Sequence, residues 1–275
     1  MKKILGIIIT YNPDIILLNK NISSFIDIAD EILIIDNNSI NKIELLSFEN
    51  NKIKVVNNER NLGIAEGLNI GLNYAHQNRF DYILTMDQDS YFEKNTVSYL
   101  ITGFNEESIA IVCPSLKDMN SNNFNSVAQI YEEIFVAITS GCLCSVRHLK
   151  SIGGFNIKLF IDYVDFELCL RLQKSGYKIL QSQKSVLCHQ LGDSRIEYIF
   201  NIPFICTNHS PFRRFYYARN KVYIYKNYFF SFPIFILRDI GSFFKTIFII
   251  LFFEKFRAEK FKMICKGIWH GLFYI

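Results

Sequence analysis

Residues 4–13 have the sequence ILGIIITYNP, and this stretch decides how the chain begins to fold. A short Ile-rich run that ends in a polar turn is typical of a buried strand in a parallel sheet. The preceding Met-Lys-Lys resembles the start of a signal peptide, but no small-residue cleavage site follows the apolar run. The stretch therefore predicts a first buried strand at Ile4–Thr10.

The residues that follow alternate between strand-like and helix-like patterns. Further strands are predicted at Glu31–Ile35, Lys52–Asn57 and Tyr82–Met86. Helices are predicted at Asp14–Ile28, Ile40–Phe48 and Ile64–Gln77. This order predicts an α/β fold with a doubly wound parallel sheet, whose ligands bind at the carboxyl ends of the strands.

Polar residues follow each predicted strand and are therefore expected to meet in one crevice. They are Thr10-Tyr11-Asn12, Asp36-Asn37-Asn38-Ser39, Asn57-Asn58-Glu59-Arg60-Asn61 and Asp87-Gln88-Asp89. The glycine-rich fingerprints of dinucleotide oxidoreductases and P-loop NTPases do not occur in the sequence. The sequence argues against both classes of enzyme.

Asp87 and Asp89 are spaced by one residue at the exit of a predicted strand. Such a pair can hold Mg²⁺, which favours one or two carboxylates together with water and substrate phosphate oxygens. The alternative is a solvated turn, where Asp is common. His189 follows another apolar run, and either completes a metal shell, contacts a phosphate, or is a structural histidine.

Arg60, Asn61 and Gly63 precede the helix predicted at Ile64–Gln77. Glycine allows close approach of backbone to a ligand, and a helix N-terminus favours anions. The alternative is a loop followed by a helix cap.

A second informative stretch is FIDYVDFELCLR at residues 160–171. On a helix, Asp162 and Asp165 would lie on one face, and Glu167 and Arg171 would form an i,i+4 pair. A carboxylate partly desolvated by the neighbouring aromatic residues would serve as a general base. The alternative is an ordinary amphipathic helix with a surface salt bridge.

The charge of the chain is divided unevenly along its length. Its 275 residues carry a net charge of +4, yet residues 210–275 contain 12 Lys and Arg against 3 Asp and Glu. We therefore predict two regions, a mildly acidic one at 1–209 and a basic, aromatic, helical one at 210–275. The apolar runs in the second region are shorter than the ~20 residues that a transmembrane helix needs.

The seven cysteines contain no C-x-x-C pair, which favours reduced thiols in the cytoplasm.

The basic region has three possible partners. Aromatic residues mixed with Lys and Arg suit a helix lying on an anionic membrane surface. They also suit nucleic acid, which the acidic first region disfavours, or a helical cap or homodimer surface. Arg213, Arg214 and Arg219 are candidates for binding phosphate oxygens, since Arg binds them bidentately.

Taken in order, these motifs resemble the family 2 glycosyltransferases, which have a GT-A type, Rossmann-like nucleotide-sugar domain. The matching stretches are TYNP (10–13), DNNS (36–39), ERNLGIAEGLNIGL (59–72), TMDQDS (85–90), GGF (153–155), LFIDYVDFELCLRLQKSGYKI (159–179) and LGDS (191–194). The last two, with SPFRRFYYARN at 210–220, look most like the bacterial rhamnosyltransferase branch. The resemblance covers about residues 3–195.

The resemblance implies a role for each matching position. Thr10, Tyr11, Asn12, Asp36, Arg60, Asn61, Gly63, Asp87 and Arg219 would bind the nucleotide-sugar donor, with Asp36 accepting from the N3–H of thymine or uracil. Asp89, Asp87 and His189 would bind Mg²⁺ or Mn²⁺, with Asp89 as the direct ligand. Alignment on Arg171 places the catalytic base at Asp165, with Val164 and Glu167 departing from the family's E-D-x-D pattern and Asp162 as a competing base.

The resemblance also implies the reaction. An inverting, metal-dependent transferase at the inner face of the cytoplasmic membrane would move L-rhamnose from dTDP-L-rhamnose to a lipid-linked polysaccharide precursor. The alternatives are a UDP-hexose or UDP-galactofuranose donor, or a non-catalytic subunit that retains the fold.

Overall fold

The computed structural model describes residues 2–94, 96–118, 130–189, 195–199 and 202–275. It divides into two compact units. The first contains residues 1–157 and 164–190, and the second contains residues 158–163 and 191–275. The chain thus enters the second unit twice, whereas the boundary at residue 209 remains a prediction.

The first unit is a mixed α/β structure. Its strands are β1 (Ile4–Thr10), β2 (Glu31–Asp36), β3 (Ile53–Asn57), β4 (Tyr82–Asp87), β5 (Tyr91–Phe92), β6 (Ile109–Asp118), β7 (Tyr131–Glu133), β8 (Cys142–Ser145) and β9 (Lys178–His189). Its helices are α1 (Ile15–Ser23), α2 (Lys42–Leu46), α3 (Ile64–Gln77), α4 (Ser98–Thr102), α5 (Val146–Ser151) and α6 (Val164–Lys174).

One nine-stranded sheet runs through this unit in the order β3-β2-β1-β4-β8-β6-β9-β5, and β7 pairs with β9. The predicted parallel strands are confirmed for β1 to β4. Beyond them the sheet is mixed, because β8 runs antiparallel to both β4 and β6. The carboxyl ends of β1, β2 and β4 lie side by side at one edge, where Thr10 is opposite Asp36 and Ile9 is opposite Asp87.

Helix α3 packs against β1 through glycines. A Cβ atom at Gly71 would lie 2.5 Å from Ile7 Cδ1, and one at Gly67 would lie 2.9 Å from Ile9 Cδ1. Both isoleucines belong to a strand that is buried along its whole length. The absence of two side chains therefore lets the helix approach the central strand closely and hold the end of β1 in place.

The second unit contains β10 (Arg195–Ile199), β11 (Ile202–Cys206), α7 (Pro211–Tyr228), α8 (Pro233–Phe253) and α9 (Arg257–Phe273). Helix α7 begins with Pro211 after an N-cap at Ser210, whose hydroxyl accepts from the Arg213 N–H. Gly267 and Gly271 bring α9 against the backbone of α7. None of the helices in the described part of the chain combines the length and the apolarity that crossing a bilayer requires.

Candidate active site

The ends of β1 and β2 are joined by a buried polar network around Asp36. The Asp36 carboxylate accepts hydrogen bonds from Thr10 Oγ1 at 2.9 Å, from the Ser39 backbone N–H at 2.8 Å, and from Ser39 Oγ. The Ser39 hydroxyl in turn accepts from the Asn12 N–H at 2.7 Å. Asp36 is fully buried, so its observed role is to fix the loop that follows each strand.

Asn37 connects the same strand end to the loop before α3. Its side-chain oxygen accepts from Asn58 Nδ2 at 3.0 Å and from the Leu62 N–H at 3.3 Å. Its side-chain nitrogen donates to the Gly63 carbonyl at 3.3 Å. Gly63 has a φ of 83°, which favours glycine at this N-cap position.

The predicted residues Arg60 and Asn61 are both exposed next to this loop. Asn61 Oδ1 accepts from the Gly63 N–H at 2.9 Å. The loop is therefore held by Asn37 and by its own residue Asn61, and the Arg60 side chain is exposed.

The D-x-D motif begins at Asp87, the last residue of β4, and continues into the turn beside Tyr11. The side-chain amide of Gln88 accepts from the Tyr11 N–H at 2.8 Å and donates to the Tyr11 carbonyl at 3.4 Å. Tyr11 itself is half-exposed. The residue between the two aspartates thus ties the β4 turn to the β1 turn, a role that sequence analysis missed because nothing in the local pattern identifies so distant a partner.

Asp87 and Asp89 fit the metal that the resemblance implies. The Asp87 backbone is fixed on both sides, because its N–H donates to Ser140 Oγ at 3.1 Å and its carbonyl accepts from Asn21 Nδ2 at 2.6 Å. Within the described residues the Asp89 carboxylate makes no hydrogen bond or ion pair. No group of three His, Cys, Asp or Glu in those residues forms a metal cluster. Two carboxylates suffice for Mg²⁺ when substrate phosphates and water supply the other ligands.

The GGF stretch is held to α3 by Asn69. Asn69 Oδ1 accepts from the Phe155 N–H at 2.9 Å, and Asn69 Nδ2 donates to the Phe155 carbonyl at 2.8 Å. Gly153 and Gly154 have φ values of 86° and 77°. A Cβ at Gly154 would lie 2.5 Å from Asn69 Oδ1, so the glycine provides room for this pair of bonds.

Asp165 lies in the first turn of α6 and is partly exposed. The predicted Glu167–Arg171 pair forms, with Arg171 Nη2 2.7 Å from Glu167 Oε2. Glu167 is buried while the Arg171 side chain is 23% exposed, so the pair is more enclosed than the surface salt bridge of the alternative interpretation. The same helix contains Cys169, whose pKa burial raises well above its usual range. A thiol held in its neutral form is a poor nucleophile.

Asp162 does not belong to this helix, and the prediction that Asp162 and Asp165 share a helical face was wrong. Helix α6 begins at Val164, because Asp162 and Tyr163 have left-handed φ values of 62° and 65°. Within the second unit the Asp162 carboxylate accepts a two-pronged bond from Arg213, whose Nη2 lies 2.8 Å from Oδ1 and whose Nε lies 3.2 Å from Oδ2. Asp162 is thus committed to an ion pair.

The other tail arginines have partners inside the second unit. Arg214 is buried and donates to Glu254 Oε1 at 2.6 Å. Arg219 is buried, donates to the Lys158 carbonyl at 2.6 Å, and lies 4.6 Å over the Tyr216 ring. Burial lowers the pKa of Arg219. Arg214 is therefore a structural residue, while the part of Arg219 in donor binding remains a prediction.

One predicted metal ligand lies outside these observations. The backbone of His189 closes β9, opposite Asp118 of β6. The side chain of His189 and the LGDS residues 191–194 lie outside the described part of the structure.

Comparisons of sequence agree with this arrangement. The model of the family described as "Glycosyl transferase family 2" matches residues 7–151 of the chain. The dTDP-rhamnosyl transferase RfbF of Shigella flexneri is 30% identical over an alignment of 236 positions, which covers 79% of this chain and 78% of that protein.

Solved structures with the same fold have little sequence in common with the chain. GalNAc-T7, crystallised with UDP, GalNAc and Mn²⁺, matches with a TM-score of 0.61 at 15% identity, covering 100% of this chain. The chain spans only 56% of the length of that structure. Residues 1–349 of TarS from S. aureus match with a TM-score of 0.54 at 15% identity, covering 99% of this chain and 72% of the other.

Proposed function

Since the chain belongs to glycosyl transferase family 2 and is a glycosyltransferase with a GT-A type fold, we propose that it transfers L-rhamnose from dTDP-L-rhamnose. The acceptor in this proposal is a hydroxyl group of a lipid-linked cell-surface polysaccharide precursor. The observation that carries the choice of donor is the similarity to the Shigella flexneri dTDP-rhamnosyl transferase, because it extends over most of both chains.

In this proposal the crevice at the ends of β1, β2 and β4 holds the nucleotide. The network around Asp36 fixes Thr10 and Asn12, and the half-exposed Tyr11 ring is available to stack on the base. A carboxylate offers about four acceptor sites, three of which Asp36 uses in the network. We assign the fourth site to the base N3–H, which requires the loop over this buried carboxylate to move when the nucleotide binds. Arg60, Asn61 and Gly63 lie in the loop that we assign to the ribose and diphosphate.

Asp87 and Asp89 would hold the divalent cation, with Asp89 as the direct ligand. Mg²⁺ or Mn²⁺ bound there would stabilise negative charge on the nucleoside diphosphate. Because the Asp87 backbone is anchored to Ser140 and Asn21, the turn that carries both carboxylates is fixed before any ligand arrives.

We assign the general base to Asp165. Its carboxylate takes the proton of the acceptor hydroxyl as that oxygen bonds to the anomeric carbon. The bond from this carbon to the diphosphate oxygen breaks at the same time, and its electrons leave with the nucleoside diphosphate. One displacement inverts the anomeric configuration. Asp162 is the weaker candidate, since both of its oxygens accept from Arg213.

A panel of nucleotide sugars tests the proposal directly. The full chain with Mg²⁺ or Mn²⁺ is expected to release dTDP from dTDP-L-rhamnose, and EDTA is expected to abolish release. Asp165→Asn and Asp89→Ala should each lower kcat by about a hundredfold or more, the range for a general base or a bound metal ion. Asp27→Asn changes an exposed carboxylate without partners in the described residues and should keep kcat. Full activity in both site variants would contradict the assigned residues, and turnover of UDP-hexoses alone would contradict the donor.

We further propose that α8 and α9 attach the enzyme to the inner face of the cytoplasmic membrane. The exposed apolar side chains between residues 233 and 273 are Ile234, Leu237, Phe244, Phe248, Phe252, Phe256, Phe261, Trp269, Leu272 and Phe273. The exposed cations there are Arg238, Lys245, Lys255, Arg257, Lys262 and Lys266. Within this stretch, all of which is described, Glu259 is the one exposed acid, because Asp239 and Glu254 pair with buried Lys and Arg. Aromatic side chains beside cations suit anionic lipid.

A further inference from the structure

The segment 158–163 lies between the GGF stretch and α6 in sequence, yet it belongs to the second unit. Helix α7 supplies the side chains that hold it. Of the motif at 210–220 that resembles rhamnosyltransferases, Arg213, Tyr216, Arg219 and Asn220 all contact this short segment.

The backbone carbonyls of the segment are bound by two neighbouring residues of α7. The two hydrogens of Asn220 Nδ2 go to the carbonyls of Ile161 and Asp162, each at 2.8 Å. Arg219 donates to the Lys158 carbonyl at 2.6 Å and to Asn220 Oδ1 at 2.9 Å. Because Asn220 is fully buried, no water molecule can easily take over its hydrogen bonds to these carbonyls.

The side chains of the segment are held as firmly as its backbone. Arg213 donates hydrogen bonds to both carboxylate oxygens of Asp162, whose side chain is only 14% exposed. The Phe160 ring stacks on Tyr216 with centroids 5.0 Å apart. The Tyr163 hydroxyl donates to Asp239 Oδ1 at 2.7 Å.

These contacts converge on two residues in an unfavourable conformation. Asp162 and Tyr163 are consecutive non-glycine residues with φ near +60°, a region that L side chains rarely adopt. Such backbone persists only where surrounding contacts impose it. The helix that carries Asp165 begins at the very next residue, Val164.

We propose that α7 imposes this left-handed turn and thereby sets where α6 begins and how Asp165 is presented. Arg213 and Asn220 are then positioning residues for the base, which rests on the proposed function of Asp165. The acceptor hydroxyl meets a base whose orientation depends on α7, so loosening the turn slows the chemical step while leaving the nucleotide crevice intact.

The test compares three variants of the full chain. Asn220→Ala removes both carbonyl partners, and Arg213→Gln, at a half-exposed position, removes the grip on Asp162 with less risk to folding. Asn227→Ala is the matched control, because Asn227 is an exposed asparagine of α7 whose side chain, among the residues that the structure describes, bonds only to the Tyr223 carbonyl of its own helix. The measurements are kcat, the dissociation constant for dTDP, and amide hydrogen exchange over residues 158–168.

We expect kcat to fall by about ten- to a hundredfold in both positioning variants, the cost of misplacing a reacting group. The dissociation constant for dTDP should stay within about twofold of wild type, and exchange should accelerate at 158–168. Asn227→Ala should match wild type in all three. Arg213→Lys keeps the positive charge but loses the two-pronged hydrogen bond to Asp162. Its kcat should therefore lie between those of Arg213→Gln and the wild type.

Wild-type exchange at 164–168 in both positioning variants would overturn the proposal, as would wild-type kcat in both. Loss of kcat matched by equal loss of dTDP binding would also overturn it, because that pattern marks general unfolding. A wild-type chain that turned over no nucleotide sugar would instead contradict the proposed function, and the exchange measurement would still decide whether α7 sets the start of α6.

Discussion

His209 lies among cations at the start of α7. Burial lowers the pKa of His209 from 6.5 to about 3, and the positive charges of Arg213, Arg214 and Lys260 add to this effect. The imidazole is therefore neutral in the folded protein at pH values where the unfolded chain would bind a proton. Because the unfolded state binds more protons below pH 6.5, the free energy of unfolding falls as the pH falls from about 6.5 towards 3.

We expect His209→Gln to lessen this loss of stability on acidification. A single group with these two pKa values lowers the free energy of unfolding by about 2 kcal/mol between pH 7 and pH 5. The variant has no imidazole to titrate, so its free energy of unfolding should fall by about 2 kcal/mol less than that of the wild type over the same interval. Urea unfolding at the two pH values measures it. His76→Gln, at an exposed histidine, serves as the control and should keep the wild-type difference. An unchanged difference in His209→Gln would contradict the prediction.

Single residues also show where sequence reasoning reaches its limit. Asp162 was placed on a helix because a period of three or four is the only local signal, and two left-handed non-glycine residues carry none. The buried state of Arg214 depends on Glu254, forty positions away. The residue types of the crevice were predicted, but the partners that fix them, such as Gln88 and Asn69, lie 77 and 86 positions from the residues they bind.

At the scale of elements, two glycines in helices occupy opposite surroundings. A Cβ at Gly71 of α3 would lie 2.5 Å from Ile7 Cδ1, whereas one at Gly241 of α8 would meet nothing within 4 Å. We expect Gly71→Ala to lower the free energy of unfolding by about 1–3 kcal/mol through overpacking. Gly241→Ala should raise it by about 0.5–1 kcal/mol, the difference in helix propensity.

Urea unfolding of both variants measures these free energies. Equal effects of the same sign would contradict the prediction, because the two substitutions differ only in what surrounds the new methyl group. Gly71→Ala should also weaken binding of dTDP, since α3 supports the β1 end that carries Thr10.

Regular elements were predicted well where hydrophobic periodicity is strong. The bounds of β1 and α3 match the predicted ranges, Ile4–Thr10 and Ile64–Gln77. Helix α1, predicted to reach Ile28, ends at Ser23, because the Ser24 hydroxyl and N–H turn back to the carbonyls of the last turn. The antiparallel β8 was missed, since four residues with the sequence CLCS are too short for a periodic signal.

At the scale of the whole molecule, the uneven charge predicts how the protein meets a lipid surface. Residues 210–275 carry a net charge of +9 and the rest of the chain −5. We expect the full chain to float with vesicles that contain anionic phospholipid and to stay behind with neutral ones. Flotation should weaken as salt rises, because screening shortens the range of the attraction to ~10 Å at 0.1 M.

Charge variants make this test specific. Lys262→Glu with Lys266→Glu should lower the vesicle partition coefficient by at least about fivefold per lysine, from ~1 kcal/mol for each cation near the surface. Lys42→Glu with Lys94→Glu makes the same change in the first unit and should leave flotation intact. A chain that does not float but sediments as a dimer would show that the apolar face of α8 and α9 joins two copies instead.

The second unit is formed by two separate segments of the chain, and this limits how chimeras of such an enzyme can be built. A chimera that exchanges only residues 191–275 with a relative would replace α7 but leave the native 158–163 segment behind. The segment would then lose the hydrogen bonds that it receives from Arg213, Arg219 and Asn220. The two stretches are separated in sequence yet have to be inherited together, so a chimera between family members should fold and stay active only when both are transplanted.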